Sequence, residues 1–281
     1  MKKLLFLFTM LTFMVACSDD DDNENDPSGG EEITLLPKRI SKIKEYEGEG
    51  SLSLTYEYKY DAEGRIDEIT ETDHGNSVVY KYTYDADKIT MKSTDKREEN
   101  YILQNGKATY YKFDYGSYES YEGDWDEYRF TYNGDYMSLV KGIIETDSPE
   151  TETLSFDKGK LVKYTYVADD DKDYTGSIDF EYGDQKNNLN IDLFTFIASS
   201  FFDGNFEDVW LLGVGGKRSS YLPKSATFTD PEWDDEEEEI IGQEVTKSTF
   251  EYKLKDGYIT ELAVYDEDKE IDWKFEIFYE E

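Results

Sequence analysis

The chain has 281 residues, with 66 Asp and Glu against 30 Lys and Arg, and a formal charge of −36. A protein this acidic repels phosphate backbones, which excludes nucleic acid as a partner. One cysteine and one histidine exclude an internal disulfide and a multi-thiolate or histidine-rich metal site. Aromatic residues make up 16% of the chain, which is too many for a disordered protein, so we expect a folded core.

The N-terminus has the pattern of a lipoprotein signal peptide. Lys2 and Lys3 precede an apolar stretch over residues 4–15, which is too short to cross a bilayer as a helix. The stretch ends at Met14-Val15-Ala16-Cys17 and resembles a bacterial lipobox, although Leu is commoner than Met at the first of these positions. The resemblance implies cleavage after residue 16 and acylation of Cys17, for example with palmitate. The alternative is an ordinary cleaved signal with an incidental cysteine.

Residues 17–32 follow as a predicted flexible tether. They contain the run Asp19-Asp20-Asp21-Asp22 and hardly any apolar residue, as expected for a solvated linker. An acidic run beside a lipidated cysteine resembles the surface-export signal of Bacteroidota lipoproteins. That resemblance implies an outer-membrane lipoprotein exposed at the cell surface, whereas the simpler interpretation is a spacer.

From Ile33 onward the apolar residues recur with a period of two, which predicts strands. Tyr56, Tyr58 and Tyr60 alternate with polar residues, and similar runs recur near residues 80–84 and 128–132. Short turn signals separate such runs, among them Asn105-Gly106 and Asp256-Gly257. Residues 33–281 are therefore predicted to form a single all-β domain, a large antiparallel meander of about twelve to sixteen strands.

One segment departs from this rhythm. In residues 191–212, Leu193, Phe196, Ile197 and Phe201 recur at helical spacing, which predicts one or two short helices that plug or cap the sheet. A pair of buried strands is the alternative. The loop over residues 213–218 that follows is rich in glycine but lacks the pattern of a phosphate-binding P-loop.

Two family resemblances are carried by short motifs. The segment over residues 58–66 resembles the Tyr-Asp repeat of large shell-forming toxin proteins. A wider series resembles Bacteroidota lipoproteins of a domain-of-unknown-function family described as having a porin-like fold; its motifs are Leu36-Pro37-Lys38-Arg39-Ile40, residues 58–66, Asn188-Leu189-Asn190-Ile191-Asp192, Ser219-Ser220-Tyr221-Leu222-Pro223 and Asp256-Gly257-Tyr258-Ile259. The family implies a barrel-like antiparallel architecture and no known activity. We expect the apolar face to turn inward, as in soluble barrels, and not toward lipid.

Calcium is the one cofactor that the sequence suggests. Asp171, Asp173, Thr175 and Asp179 follow the order of ligands in an EF-hand loop. Their carboxylate and hydroxyl oxygens are ligands that Ca²⁺ prefers. Tyr182 stands where that loop needs a bidentate Glu, and the flanking residues are predicted strands. The alternative is an acidic hairpin loop that is merely solvated.

Two tryptophans are candidates for ligand binding. Trp125 and Trp233 occur in polar contexts where a core tryptophan is not expected, and rigid aromatic faces suit sugars or protein partners. The alternative is that each ring folds back over the sheet edge. Trp210 and Trp273, by contrast, have apolar neighbours and are predicted to be core residues.

Catalysis has little support in the sequence. His74 occurs in a polar turn, and no thiol is left for it to activate once Cys17 is acylated. Three hypotheses remain: a surface-anchored binding or scaffold module for a glycan or an envelope protein, a carboxylate-dependent glycan hydrolase, and a purely structural envelope component. We favour the first, a protein that is not an enzyme and that contacts the membrane only through its lipid anchor; the sequence does not determine its oligomeric state.

Overall fold

The computed structural model describes residues 38–48, 50–114, 125–144, 150–168, 174–190, 208–234 and 239–281. In this part of the chain sixteen antiparallel strands follow one another around a closed barrel, and the last strand pairs with the first. This architecture confirms the predicted all-β antiparallel meander and its barrel-like form, and it shows that the sheet closes. The strands are β1 Ile40–Glu47, β2 Ser51–Tyr60, β3 Ile66–Asp73, β4 Asn76–Tyr84, β5 Lys88–Ser93, β6 Glu98–Gln104, β7 Lys107–Asp114, β8 Trp125–Asn133, β9 Tyr136–Ile144, β10 Glu150–Asp157, β11 Lys160–Ala168, β12 Thr175–Lys186, β13 Tyr221–Asp234, β14 Glu239–Lys255, β15 Tyr258–Tyr265 and β16 Ile271–Tyr279.

The core consists of alternate side chains that point into the barrel. The tyrosines that set the predicted period of two are among them, since Tyr58, Tyr80, Tyr82 and Tyr128 are all buried. Leu52 belongs to the same alternation but is 50% exposed, because it lies at the start of β2, at one end of the barrel. Inward-facing side chains are therefore buried along the middle of a strand, whereas those at its ends can be exposed.

Stacked tyrosines tie neighbouring strands together inside the barrel. The ring centroids of Tyr101 and Tyr111 are 4.8 Å apart, and those of Tyr111 and Tyr128 are 5.7 Å apart. The three rings come from β6, β7 and β8 and are almost completely buried. Because stacked aromatic pairs across strands stabilise a sheet, this stack holds three strands in register.

The two ends of the barrel differ. At one end, which we call the turn end, β1 begins, β16 ends and short turns connect β2 to β3, β4 to β5 and so on. Its two-residue turns need positive φ at both positions, which glycine and asparagine adopt most easily, as in Asn105-Gly106, Lys158-Gly159 and Asp256-Gly257. At the opposite loop end most connections are longer than two residues, the turn His74-Gly75 between β3 and β4 being an exception, and several lie outside the described residues.

A repeated tyrosine hydrogen bond marks the turn end. In six places a hydroxyl near the end of an even-numbered strand donates to a backbone carbonyl near the start of the preceding odd-numbered strand, with O···O distances of 2.6 or 2.7 Å. The pairs are Tyr60 to Ile40, Tyr84 to Ile66, Tyr132 to Ala108, Tyr182 to Leu161, Tyr252 to Pro223 and Tyr279 to Ile259. Each bond fixes where one strand stops relative to its neighbour.

Cations lie over several of the same rings. Arg65 is 4.3 Å from the centroid of Tyr84, and Lys107 is 5.2 Å from that of Tyr132. Each cation occupies the position just before the residue whose carbonyl accepts the hydroxyl. One side of the tyrosine ring is therefore covered by a basic side chain, which adds a cation–π contact to the hydrogen bond.

The connection between β12 and β13 crosses the turn end. Its described residues, 187–190 and 208–220, make backbone contacts with strands and turns on widely separated parts of the wall. These are Ile40 N to Asn190 Oδ1 at 2.9 Å, Ala108 N to Val214 O at 2.8 Å, Lys217 N to Asp135 O at 2.8 Å and Ser220 N to Gly159 O at 2.9 Å. The described residues of this connection therefore cap the turn end, and they include only residues 208–212 of the segment predicted to plug or cap the sheet.

Helix α1, Asp208–Leu211, is a single turn within this connection. Val209 and Trp210 are buried, which confirms Trp210 as a core residue. A Cβ on Gly215 would lie 2.2 Å from Cδ1 of Trp210, so only glycine fits there. Residues 191–207 of the predicted helical plug lie outside the described residues. No helix in the described ranges is long and apolar enough to cross a membrane.

The outer wall carries charged pairs between strands. Lys42 and Glu57 approach to 2.6 Å, and Glu68 contacts both Lys59 at 2.6 Å and Lys81 at 3.5 Å. A membrane-spanning barrel needs an outward apolar band at this level, whereas these pairs belong in water. The apolar face turns inward, as expected from the sequence.

The repeated hydroxyl bond predicts a specific loss of stability. In Tyr132→Phe the carbonyl of Ala108 loses its donor, and we expect the free energy of unfolding to fall by ~1 kcal/mol in urea titrations. Tyr265→Phe is the matched control, because its hydroxyl lies on the outer surface 3.4 Å from Glu251 and should cost far less. Equal losses in the two variants would contradict the role assigned to the turn-end tyrosines.

Candidate functional site

The loop half of the barrel interior contains a cluster of carboxylates and tyrosines. We call it the acid–tyrosine cluster, and its central residues are Glu45 on β1, Glu71 on β3, Glu99 and Tyr101 on β6 and Asp208 on α1. The three glutamates face inward because they continue the same alternation that places tyrosines in the core, whereas Asp208 reaches the cluster from the β12–β13 connection. Asp126 on β8 and Glu152 on β10 are also buried.

Glu99 and Asp208 form a buried carboxyl pair. The hydroxyl of Tyr101 donates to Glu99 and lies 3.4 Å from Oδ2 of Asp208. Burial, together with the charge of Asp208, raises the pKa of Glu99 well above its ordinary value. Burial also raises the pKa of Asp208, to about 6. Burial therefore raises the pKa of both carboxyl groups, and the pair takes up a proton at higher pH than two exposed carboxylates would.

Arg97 supplies positive charge at the edge of this cluster. Its guanidinium lies 2.6 Å from the hydroxyl of Tyr80 and 2.8 Å from a carboxylate oxygen of Asp95. The hydroxyl of Tyr80 in turn donates to Glu71 at 3.2 Å. Burial nevertheless raises the pKa of Glu71 above its ordinary value.

Glu45 has a strongly perturbed carboxyl group. Burial, and to a lesser degree the nearby Glu71, raises its pKa from 4.5 to about 7. A raised pKa can indicate a functional carboxyl, but buried structural acids show the same shift. The hydroxyl of Tyr101 contacts both Glu99 and Asp208, so these two carboxyl groups share one buried partner.

The outer wall carries a shallow groove of about 350 Å³ between β4 and β5. Lys81 and Lys92 line it and lie opposite each other in the ladder. Each lysine contacts an acid, Glu68 at 3.5 Å and Glu98 at 3.2 Å. Their charges are thus already compensated, which makes the groove a weak candidate for binding anions.

The two candidate tryptophans both lie at the loop end but on separate parts of the wall. Trp125 is the first residue of β8 and is half-buried, with Nζ of Lys112 4.5 Å from its ring centroid. It is therefore a strand residue and not a loop residue as its polar context suggested. Trp233 lies near the end of β13, opposite Ile240 of β14. Because β9–β12 separate the two strands, the structure does not bring the tryptophans together.

The candidate calcium ligands fall partly outside the structure. Asp171 and Asp173 lie outside the described residues. Thr175 begins β12, and Asp179 in the same strand forms an ion pair with Lys163 at 3.0 Å. Calcium binding by these four residues stays a prediction. In the described part of the chain no three His, Cys, Asp or Glu residues cluster in a way that could hold a metal ion.

The one histidine and the one cysteine of the chain differ in that only the histidine lies among the described residues. His74 occupies an exposed turn between β3 and β4 with a positive φ of 47°, and Asp73 raises its pKa by hydrogen bonding. This is the exposed turn histidine that the sequence indicated. Cys17 lies outside the described residues, so its acylation stays a prediction.

Sequence reasoning missed the acid–tyrosine cluster and a projecting hairpin. Glu99 could have been recognised because it is two residues from Tyr101 and therefore on the same face of β6. The hairpin is formed by β13 and β14, which have 14 and 17 residues and extend past their neighbours. We call residues 230–234 and 239–248 the β13–β14 arm. The only sign of this arm in the sequence is the long run of residues between the turn signals that flank β13 and β14.

Comparisons with known proteins agree with the fold. No protein-family model matches the chain, and no curated protein matches it. Among solved structures, a porin-like protein from Bacteroides vulgatus ATCC 8482 aligns with a TM-score of 0.64 and 16% identity over 86% of this chain and 99% of its own. A porin-like protein from Bacteroides uniformis ATCC 8492 aligns with a TM-score of 0.61 and 16% identity over 87% of this chain and 98% of its own. The porin-like barrel that the sequence resemblance implied is thereby confirmed.

The raised pKa of Glu45 predicts how stability depends on pH. The folded protein binds a proton at this carboxyl more tightly than the unfolded chain does. Stability should therefore be highest at low pH for this group and fall as the pH rises from about 4.5 to about 7. In Glu45→Gln that loss disappears, so the free energy of unfolding at pH 8 should exceed that of the wild type by ~2 kcal/mol.

The control for this measurement is Glu267→Gln, which removes one carboxylate from an exposed turn between β15 and β16. Urea titrations at pH 4, 6 and 8 separate the two effects. If Glu267→Gln changed the pH profile as much as Glu45→Gln, general charge repulsion and not the buried carboxyl would set the slope.

Proposed function

We propose that this protein is a surface-anchored lipoprotein of the outer membrane that acts as a binding or scaffold module. The single observation that supports this most is the opposite character of the two barrel ends. The turn end has mostly short turns and is capped by the β12–β13 connection, whereas most connections at the loop end are longer and both candidate tryptophans lie there. Such an arrangement suits a scaffold that holds variable loops at one end.

The position of the chain entry supports an orientation for the anchored protein. Lys38 and Arg39 precede β1 at the turn end, where Lys38 lies over the ring of Tyr258 and Arg39 over that of Tyr60. If the segment from Cys17 to Lys38 is the solvated tether that its composition predicts, it would span about 25 Å on average. Acylation of Cys17 would therefore hold the barrel to the membrane by its turn end, with the loop end facing away.

The charged outer wall supports attachment by lipid and not by insertion of the barrel. Ion pairs such as Lys42–Glu57 and Lys59–Glu68 would have to enter hydrocarbon if the wall spanned a bilayer. A multiply acylated cysteine can supply stable anchoring by itself. The barrel then stays in water and presents the loop end to its partner.

The partner that we propose is a glycan or an envelope protein, bound without catalysis. Trp125 supplies a half-buried aromatic surface next to a cation, Lys112, at the rim of the loop end. Aromatic faces beside polar groups are the usual anchors in such interfaces. The net charge of −36 excludes nucleic acid from the proposal.

The ligand proposal is tested by removing the aromatic surface. We expect Trp125→Ala to weaken binding to a glycan or envelope partner found by array or co-purification by at least tenfold, because a truncated anchor leaves its contact surface empty. Phe278→Ala is the matched control, since Phe278 is 41% exposed at the turn end and should not matter. Release of sugar from the glycan would instead favour the hydrolase, and absence of any partner would favour a purely structural component.

The anchor and orientation are tested on whole cells. Cys17→Ser should move the protein from the membrane fraction to the soluble fraction. In a protein that keeps Cys17, a new thiol in Asp268→Cys at the loop end should react with a membrane-impermeant maleimide on intact cells. Labelling that requires lysis would contradict surface exposure, and membrane association of Cys17→Ser would contradict the lipid anchor.

A further inference from the structure

The β13–β14 arm extends beyond the barrel wall at the loop end. Pairing of β12 with β13 ends at Ser177 and Thr229, and pairing of β14 with β15 ends at Thr249 and Tyr265. Beyond those points β13 and β14 pair only with each other within the described residues, from Asp230–Glu244 to Asp234–Glu239. The arm is thus a two-stranded ribbon with two sheet edges.

The two edges of the arm are not equivalent. Pro231 lies on β13, where it pairs with Gln243 and removes one backbone N–H. Proline is tolerated in a strand when its missing donor faces outward, so it blunts the β13 edge against further pairing. β14 has no proline, and its stretch from Gly242 to Ser248 follows a β-bulge at Ile241 without further irregularity. The β14 edge therefore keeps its donors and acceptors available.

Exposed apolar side chains lie along the same strand. Val245 is 57% exposed and Ile241 is 54% exposed, the two highest values among the large hydrophobic residues of the described chain. Both are in the part of β14 that projects past β15. An unpaired edge with exposed β-branched residues is a template for another strand.

The charge of the arm indicates what kind of strand fits. The described residues of the arm, 230–234 and 239–248, contain five carboxylates and one lysine, Lys247. That lysine is directed to the wall, 3.8 Å from Glu181. Glu244 is exposed, and a carboxylate oxygen of Glu232 reaches over Gly242, 3.0 Å from where a Cβ would stand. The edge is flanked by negative charge, which repels a second copy of this acidic chain and attracts a basic segment.

We propose that the β14 edge, residues 242–248, binds an extended basic segment of a protein partner by adding it as a further strand. Backbone hydrogen bonds would supply the pairing, Val245 and Ile241 would contact alternate apolar residues of the segment, and the acids of the arm would contact its lysines or arginines. This goes beyond the proposed function, because it depends neither on the lipid anchor nor on Trp125.

The test uses the full chain and a model peptide, acetyl-Lys-Val-Lys-Val-Lys-Val-Lys-amide. We expect saturable binding by calorimetry that weakens as salt rises, since the charges on the arm are screened. Two control peptides separate the contributions. One carries Glu in place of each Lys, and the other keeps the charges but has every backbone N–H methylated; both should bind at least tenfold more weakly.

The matched protein variants place a lysine at two exposed positions of β14. Val245→Lys, on the projecting edge, should weaken binding of the basic peptide at least tenfold. Leu254→Lys, at the turn end, where Leu254 is 49% exposed, should leave it unchanged. Thermal unfolding of both variants shows whether each still folds, and Val245→Thr, which keeps β-branching and adds no charge, provides a second edge variant with a smaller loss.

Three results would overturn the inference. They are the absence of saturable binding by the basic peptide, equal binding of the methylated peptide, and equal loss in the two lysine variants. Light scattering tests whether a second copy of this chain occupies the edge instead. A dimer that dissociates in Val245→Lys would show that it does. Because binding at Trp125 is measured separately, failure here leaves the proposed function standing.

Discussion

Filling the interior of a wide barrel is the constraint on which the rest of the structure depends. Barrels of sixteen or more strands commonly enclose a water-filled channel, because side chains from the wall do not reach the axis. Here the inward side chains form one connected core. Tyrosine contributes to it repeatedly, because its long side chain and apolar ring reach far into the barrel. The connection between β12 and β13 adds Val209, Trp210 and Val214 to the same core. The high tyrosine content of the chain follows from this need.

Tyrosine brings a hydroxyl group wherever it is buried, and that group needs a partner. At the turn end the partners are backbone carbonyls, and this produces the repeated bond from even-numbered to odd-numbered strands. In the loop half of the barrel some of the partners are carboxylates, as for Tyr101 with Glu99 and Tyr80 with Glu71. The buried acids and the turn-end pattern are therefore two solutions of one problem. The raised pKa values of Glu45 and Glu99 follow from burial and, to a lesser degree, from the charge of a neighbouring acid, so they do not require a substrate.

Much of the fold could be predicted because its signals are local. The period of two places Tyr58 and Tyr82 inside, and glycine-containing pairs such as Asn105-Gly106 place the turns. Closure of the barrel is different, because it depends on the pairing of β1 with β16. No local sequence signal near Ile40 or Tyr279 indicates that these two strands pair. The same holds for the candidate site. Asp208 meets Glu99 only because a connection from the far side of the chain crosses the barrel, and the exposure of the β14 edge depends on where β15 ends.

The pairing of β1 with β16 has a consequence for how the chain reaches its native state. In the described part of the chain every other ladder joins strands that are consecutive in sequence, so most hairpins can form as soon as their two strands exist. Local ladders of this kind carry a small entropy cost, whereas joining Ile40 to Tyr279 closes a loop of almost the whole domain. The barrel thus cannot be completed until its last strand is available. A chain that is synthesised or secreted from its N-terminus would carry β1 with one unpaired edge until β16, the last of the sixteen described strands, emerges and closes the barrel.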